Sequence, residues 1–562
     1  MQRSHLKLGE LLLYAGKINN EQFEAVLEEQ KNSSNSKKIG EILVEKGLVS
    51  AKDIVEALEY QLGFPRVDLT RFQINTDVIS MIPESLARKY KVIAIDEKED
   101  KLVVAMADPL NIFAIDDIKL YTKMELQPVV ATNADIVRLI DRYYSGESTK
   151  KLLEEFDDIT SPYDGDDLDD SEMIEVTSAP IVRLLNSIIE QAVRRRASDI
   201  HIEPRSEDIR IRFRIDGDLT EIMNLSRKNL SPIVTRVKIM GKMNIAEKRL
   251  PQDGRVETVI NDKEIDMRIS SLPTVYGEKI VIRLLDKSNF SFSKETLGFN
   301  KRNLEIFDNL LQQPYGMLLV TGPTGSGKST TLYAILKELN RTEKNIITVE
   351  DPVEYKLSGV NQVQVNTKAG LTFSNGLRSI LRQDPDIIMV GEIRDSETAE
   401  IAVRAAITGH LVLSTLHTND SPSTVARLVD MGIEPYLVSA AVIGVVSQRL
   451  VKKLCPACKE PYEASYIEKK MLNVDLDSNQ ILYKPIGCNA CNQGYRGRTA
   501  VHELMPVDEN LRRLIDSGAT IDDIRNYAVQ NGMSTLLQAA GDLAIEGTTS
   551  YDEVIRVGFS LG

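Results

Sequence analysis

Nine consecutive residues carry the most specific chemistry in the chain: Gly322, Pro323, Thr324, Gly325, Ser326, Gly327, Lys328, Ser329 and Thr330. The glycines let backbone N–H groups close around the β- and γ-phosphates of a nucleotide. Lys328 supplies a point charge to those oxygens, and Ser329 a hydroxyl for Mg²⁺. Such a loop needs a strand before it and a helix after it, because the helix N-terminus adds a favourable dipole for the anion. Residues 317–321 are an apolar run that reads as a buried strand, and 331–337 read as the start of a helix. A Gly/Ser-rich turn that matched by chance would need neither flank. The spacing implies a nucleoside triphosphate site.

Three further polar clusters follow strand-like runs. They are Glu350-Asp351-Pro-Val-Glu354, Gly391-Glu392-Ile-Arg394-Asp395 and Leu416-His417-Thr418-Asn419. In a parallel doubly wound sheet the C-terminal ends of strands converge on the ligand crevice. All three clusters are therefore expected around the same phosphates. Glu392 stands where a Walker B carboxylate would orient or activate water, and Glu350 and Asp351 are placed with ATP and Mg²⁺. His417 either senses the γ-phosphate or is a hydrogen-bonded structural histidine; chemistry alone leaves both open.

Arginines cluster earlier in the chain. Arg210, Arg212 and Arg214 fall on alternate positions of a strand-like run, so all three project from one face. Arg249 and Arg255 follow in a turn, then Arg268 and Arg283 on later strands. With a nucleotide site elsewhere, their natural use is charge stabilisation of phosphates, the role of an arginine finger.

The four cysteines fall in two pairs, Cys455-Pro-Ala-Cys458 and Cys488-Asn-Ala-Cys491. Paired CxxC motifs are the pattern of a four-thiolate tetrahedral zinc site. A redox CxxC would need no second pair, and a disulfide is disfavoured in a reducing cytoplasm. The site is expected to be structural, with no open position.

The elements that must hold these groups fit a chain of 562 residues, long enough for three or four domains at roughly 150 residues each. No apolar stretch approaches the ~20 residues a membrane helix needs, and the first residues lack a signal peptide's apolar core. The expected location is cytoplasmic. A net charge of −14 opposes wholesale nucleic-acid binding. A tandem repeat opens the chain, with the second copy offset by 31 residues: Lys7, Leu8, Gly9, Leu27 and Gln30 recur as Lys38, Ile39, Gly40, Leu58 and Gln61. Each copy reads as two short helices around a glycine turn. Residues 154–172 carry ten acidic side chains and no Lys or Arg, the composition of a flexible linker.

The tandem pattern resembles the MshEN domain, whose family binds cyclic di-GMP, with Lys7 and Lys38 where that family has arginine. One motif per half would suit a pseudo-twofold ligand. The segment Leu381-Arg-Gln-Asp-Pro-Asp-Ile-Ile-Met-Val-Gly-Glu392-Ile-Arg394-Asp395, with Ile347-Thr-Val-Glu350-Asp351-Pro-Val-Glu354 and Thr408-Gly-His410…Thr415-Leu-His417, resembles the type II/IV secretion ATPases (the GspE/PilB family). The resemblance implies an α/β multidomain protein with four parts. These are an N-terminal helical-repeat α+β (MshEN-like) domain at 1–145, an acidic linker at 146–172, an α+β middle domain at 173–290, and a RecA-like motor at 291–562 with a zinc-bound insertion at 455–491. It further implies that Lys328 is the phosphate-loop lysine, Glu392 the Walker B glutamate and Glu354 a residue that positions water. Family members form homohexameric rings, peripheral at the inner face of the cytoplasmic membrane, and push on a membrane platform protein. The zinc site and N-terminal domain point to pilus assembly, with type II secretion as the alternative. A RecA-like nucleic-acid translocase is the more distant one.

Overall fold

The computed structural model describes residues 8–32, 39–62, 64–72, 74–141, 143–144, 179–287 and 294–559. The acidic stretch 154–172, Lys7, Lys38 and the side chain of Gln61 lie outside the described residues. The chain divides into two compact units, the first mainly residues 1–288 and the second mainly 289–562.

In the first unit the duplication is visible as four helices: Leu8–Tyr14, Asn20–Asn32, Ile39–Glu45 and Ala51–Leu62. Each copy turns at a left-handed glycine, Gly16 (φ 68°) or Gly47 (φ 66°). The same closing bond follows in both: Lys17 N–H to Leu12 O and Leu48 N–H to Leu43 O, each 3.0 Å. The second helices are capped at equivalent positions, by Asn19 onto the Gln22 N–H and by Ser50 onto the Asp53 N–H. The copies exchange partners, so the first helix of each lies chiefly against the second helix of the other. Leu12, Val26, Ile42 and Leu43 fill the seam.

A three-stranded sheet follows, in the order β1 (Val92–Lys98), β2 (Lys101–Met106), β3 (Glu125–Val130). β2 and β3 are parallel, joined through the helix Ile112–Thr122. The unit's largest sheet has six strands in the order β6-β5-β4-β9-β8-β7. These are β4 (Asp199–Pro204), β5 (Asp208–Ile215), β6 (Asp218–Ser226), β7 (Gln252–Ile260), β8 (Lys263–Thr274) and β9 (Gly277–Asp286). The helix Ala179–Arg194 buries Ile181, Leu184, Leu185, Ile188 and Ile189, a stripe at helical spacing, into the same core as Ile209, Ile211 and Phe213 of β5. The period of two then forces Arg210, Arg212 and Arg214 onto the opposite face.

The second unit is built on a seven-stranded sheet in the order β12-β11-β13-β14-β10-β15-β18. Its strands are β10 (Gly316–Thr321), β11 (Ile346–Glu350), β12 (Asn361–Gln364), β13 (Ile387–Val390), β14 (Leu411–Leu416), β15 (Val442–Leu454) and β18 (Tyr495–Pro506). All neighbours are parallel except β15 and β18. Every residue of β10, β11, β13 and β14 is buried, which explains their unbroken apolar runs. Parallel pairing brings the C-terminal ends of these four strands to one edge, so the phosphate loop and the three polar clusters meet there. A small hairpin of β16 (Glu460–Glu463) and β17 (Ile481–Lys484) lies between the two cysteine pairs. Among the described residues no helix is long and apolar enough to cross a membrane.

Candidate active site

β10 hands the chain to the phosphate loop, and the helix Lys328–Leu339 begins after Gly327 in a left-handed conformation (φ 90°). Two of the loop glycines are required by a neighbouring strand. A Cβ on Gly322 would lie 2.5 Å from the Gln448 carbonyl oxygen, and one on Gly327 would lie 2.7 Å from Gln448 Nε2. Gln448, buried on β15, donates from Nε2 to Ser326 O (2.8 Å) and accepts at Oε1 from Thr331 Oγ1 (2.7 Å). One side-chain amide thus joins the loop to the helix it feeds. The next residue, Arg449, is also buried and donates to Gln448 O (3.1 Å) and to Asn419 O beyond β14 (2.9 Å). Sequence reasoning passed over both. Their signal was the polar run Ser447-Gln448-Arg449 between two apolar stretches of one strand.

Lys328 is buried, and its Nζ donates to the carbonyls of Gly322 (2.8 Å) and Pro323 (3.0 Å). Burial pushes its pKa down to about 8, against the opposing pull of the Glu392 charge and with some help from Arg449. Ser326 Oγ and Thr321 Oγ1 are buried without a hydrogen-bond partner. Such donors suit a phosphate, as does the helix N-terminus beside them. Pro323, Thr324, Gly325 and Ser329 are exposed, and Thr330 is half-buried.

Glu392 stands just past β13 and is 15% exposed. Its turn is held between neighbouring strands, because Gly391 N–H donates to Val349 O and Thr415 Oγ1 donates to Gly391 O, both at 2.8 Å. One carboxylate oxygen faces Arg394 Nη2 at 2.5 Å, and the other lies 3.5 Å from His417 Nε2. The Asp351 charge also reaches Arg394. Lys328, Glu392, Arg394 and His417 therefore form one polar group. His410 does not belong to it: it precedes β14 at the far end of the strand, with Nδ1 3.0 Å from Ala405 O.

The expectation for Glu350 requires correction. Its carboxylate is turned into the protein, where Thr348 Oγ1 (2.6 Å) and Gln362 Nε2 (3.1 Å) reach Oε1 and the Tyr333 hydroxyl reaches Oε2. A carboxylate that accepts from three side-chain donors inside the protein is not placed to face Mg²⁺.

In the first unit, Arg210 and Arg212 both grip Glu203, at 3.0 and 2.8 Å, and Lys279 joins them at 3.0 Å. Burial pushes Glu203 up, but the bonds from Arg212, Lys279 and Arg210 outweigh it and hold the carboxyl at about 2. Three cations around one carboxylate leave the patch cationic. Arg214 reaches Gly217 O, and Arg283 reaches Asp199. Arg255 makes a two-bond fork to the fully buried Asp266, 2.8 Å on each arm. Arg249 differs: it pairs only locally, with Glu247, and its side chain is 87% exposed.

The sulfur atoms of Cys455, Cys458, Cys488 and Cys491 lie within 4.8 Å of one another. Zinc–thiolate bonds of about 2.3 Å put tetrahedral sulfurs roughly 3.8 Å apart, so the four fit that ion. Cys488 N–H points to Cys491 Sγ (3.2 Å) and Ala490 N–H to Cys488 Sγ (3.4 Å), backbone bonds that would steady thiolate charge.

In the tandem repeat, Leu8, Leu27, Gln30, Ile39 and Leu58 are half-buried, and both motif glycines sit at close helix approaches. A Cβ on Gly9 would lie 2.3 Å from the Phe23 ring, and one on Gly40 3.3 Å from Leu8.

Residues 175–556 match the family model for the type II/IV secretion system protein, and residues 62–150 match the MshEN domain model. The second match thus covers the α+β segment that follows the tandem copies. The chain is 44% identical to the type IV pilus assembly ATPase PilB of Myxococcus xanthus, over 98% of each chain. It is also 44% identical to the type II secretion system ATPase E of Vibrio cholerae, over 85% of this chain and 97% of that one. Among solved structures the ATPase DotB of Legionella pneumophila is similar, with TM-score 0.50 and 22% identity over 67% of this chain and 95% of that one; this likeness concerns the fold alone. With a family match over most of its length and relatives this close, the chain belongs to the type II/IV secretion system protein family.

Proposed function

We propose that this protein is an ATP-hydrolysing motor that drives type IV pilus assembly. The observation that carries this is the meeting of Lys328, Glu392, Arg394 and His417 at the C-terminal edge of β10, β13 and β14. Lys328 and the loop N–H groups take the β- and γ-phosphates, and Ser329 with Asp351 would hold Mg²⁺. Glu392 orients the attacking water, Glu354 assists from the neighbouring loop, and His417 steers the Glu392 carboxylate. When bound, Mg²⁺ would supply charge neutralisation to the phosphates. The tetracysteine cluster holds a structural Zn²⁺. The chain works as a homohexamer, peripheral to the inner membrane, and pushes on a platform protein there. Among the arginines, Arg249 is favoured for the phosphates because its side chain is exposed and its carboxylate partner, Glu247, lies two residues away, while Arg210, Arg212 and Arg255 are held by carboxylates of the sheet. Cyclic di-GMP binding by the N-terminal region is supported by the MshEN match, and titration of the full chain with the dinucleotide tests it.

Similarity that runs the full length to a pilus assembly ATPase, N-terminal region included, favours pilus assembly over type II secretion. The test has two parts. Lys328→Ala should abolish hydrolysis while leaving metal content unchanged. Glu392→Gln should bind ATP and turn it over at least ~100-fold more slowly; rapid turnover by that variant would reject the assignment. A deletion strain should lose surface pili, and loss of protein export with pili intact would favour the secretion reading.

A further inference from the structure

Tyr333 and Glu350 are both buried and polar, and the chemistry above uses neither. Tyr333 lies on the phosphate-loop helix, five residues past Lys328, and is 2% exposed. Its hydroxyl donates to Glu350 Oε2 and accepts two consecutive backbone N–H groups, from Glu354 (3.1 Å) and Tyr355 (3.3 Å). Gln362 closes the cage, donating to Glu350 Oε1 (3.1 Å) and to Tyr355 O (2.9 Å). The rings of Tyr333 and Tyr355 meet edge to face, centroids 5.6 Å apart. Burial and the adjacent Glu350 charge push the phenol well above its ordinary pKa, so it stays a donor at any working pH.

A buried carboxylate and hydroxyl cost stability that two apolar side chains of similar size would not. Here they join the helix that receives the phosphates to the backbone that carries Glu354. We propose that Tyr333, oriented by Glu350, is a positioning residue for hydrolysis: it fixes the Glu354 backbone relative to the phosphate loop. The inference rests on the reading of Glu354 as a residue that positions water. A displacement of about 1 Å in such a group costs on the order of 100-fold in rate.

The experiment is steady-state ATPase kinetics and thermal unfolding of the full chain for Tyr333→Phe, Tyr333→Phe/Glu350→Gln and Glu354→Gln. Tyr333→Phe keeps the ring and should lower kcat roughly 10- to 100-fold, with KM for ATP within about twofold of the parent. The double variant removes the stranded buried carboxylate, so its unfolding temperature should recover while kcat stays low. Parental kcat in Tyr333→Phe would overturn the proposal. Recovery of kcat together with stability in the double variant would also overturn it, because the role would then be structural. Parental turnover in Glu354→Gln alongside a slow Tyr333→Phe would defeat the Glu354 reading itself and remove the group being positioned.

Discussion

Lys328 is the residue whose charge is most finely poised. Its pKa of about 8 is set by burial, whereas a bound triphosphate favours the ammonium. Below pH 8 the free protein already carries the proton, so ATP affinity should be nearly constant there. Above pH 8 the free protein loses the proton that the complex keeps, and affinity should fall by up to about tenfold per pH unit. Titrating a fluorescent ATP analogue between pH 7 and 9.5 checks this, and a flat Kd would contradict it. The sequence disclosed Lys328 because its partners are local: strand, glycines and helix lie within some twenty residues. It disclosed Glu392 for the same reason. For Glu350 the same rule failed, because a carboxylate that ends a strand can point into the crevice or back into the core. Only Tyr333 and Gln362, contributed by other elements, decide which.

At the scale of elements, β15 matters as much to the phosphate loop as β10 does. It lies more than a hundred residues downstream, so local patterning could not link its Gln448 and Arg449 to the glycines. Its amide makes two bonds that span the loop and the helix. Gln448→Ala should loosen the loop before the chemistry. Two hydrogen bonds of about 1 kcal/mol each correspond to a KM for ATP raised roughly 10- to 30-fold, with a smaller change in kcat. Kinetics that show the loss in kcat alone would refute a role in shaping the loop. The sheet's parallel order was legible from the unbroken apolar runs, and the alternation of arginines on β5 from its period of two. What those arginines touch was not, since Glu203 is brought to Arg210 and Arg212 by the pairing of β4 with β5.

At the scale of the whole molecule, the chain is two compact units, with the nucleotide-handling residues in the second and the arginine-bearing sheet in the first. On the proposed reading, Arg249 is the arginine that acts on the phosphates. Arg249→Ala should therefore lower kcat at least ~10-fold without changing the unfolding temperature, because the side chain is exposed and, among the described residues, bonded only to Glu247. Arg255→Ala should instead lower stability, by leaving the buried Asp266 carboxylate unpaired. Equal unfolding temperatures for the two variants would contradict this division. The family was legible because its motifs are contiguous, whereas the packing of the duplicated helices was not.

That exchange of partners in the N-terminal repeat has a consequence of its own. Because each hairpin lends a helix to its sibling, neither half owns a complete interior, and excising one copy would strand the other's leucines in water. The pair must therefore be gained, lost or transplanted as one indivisible block.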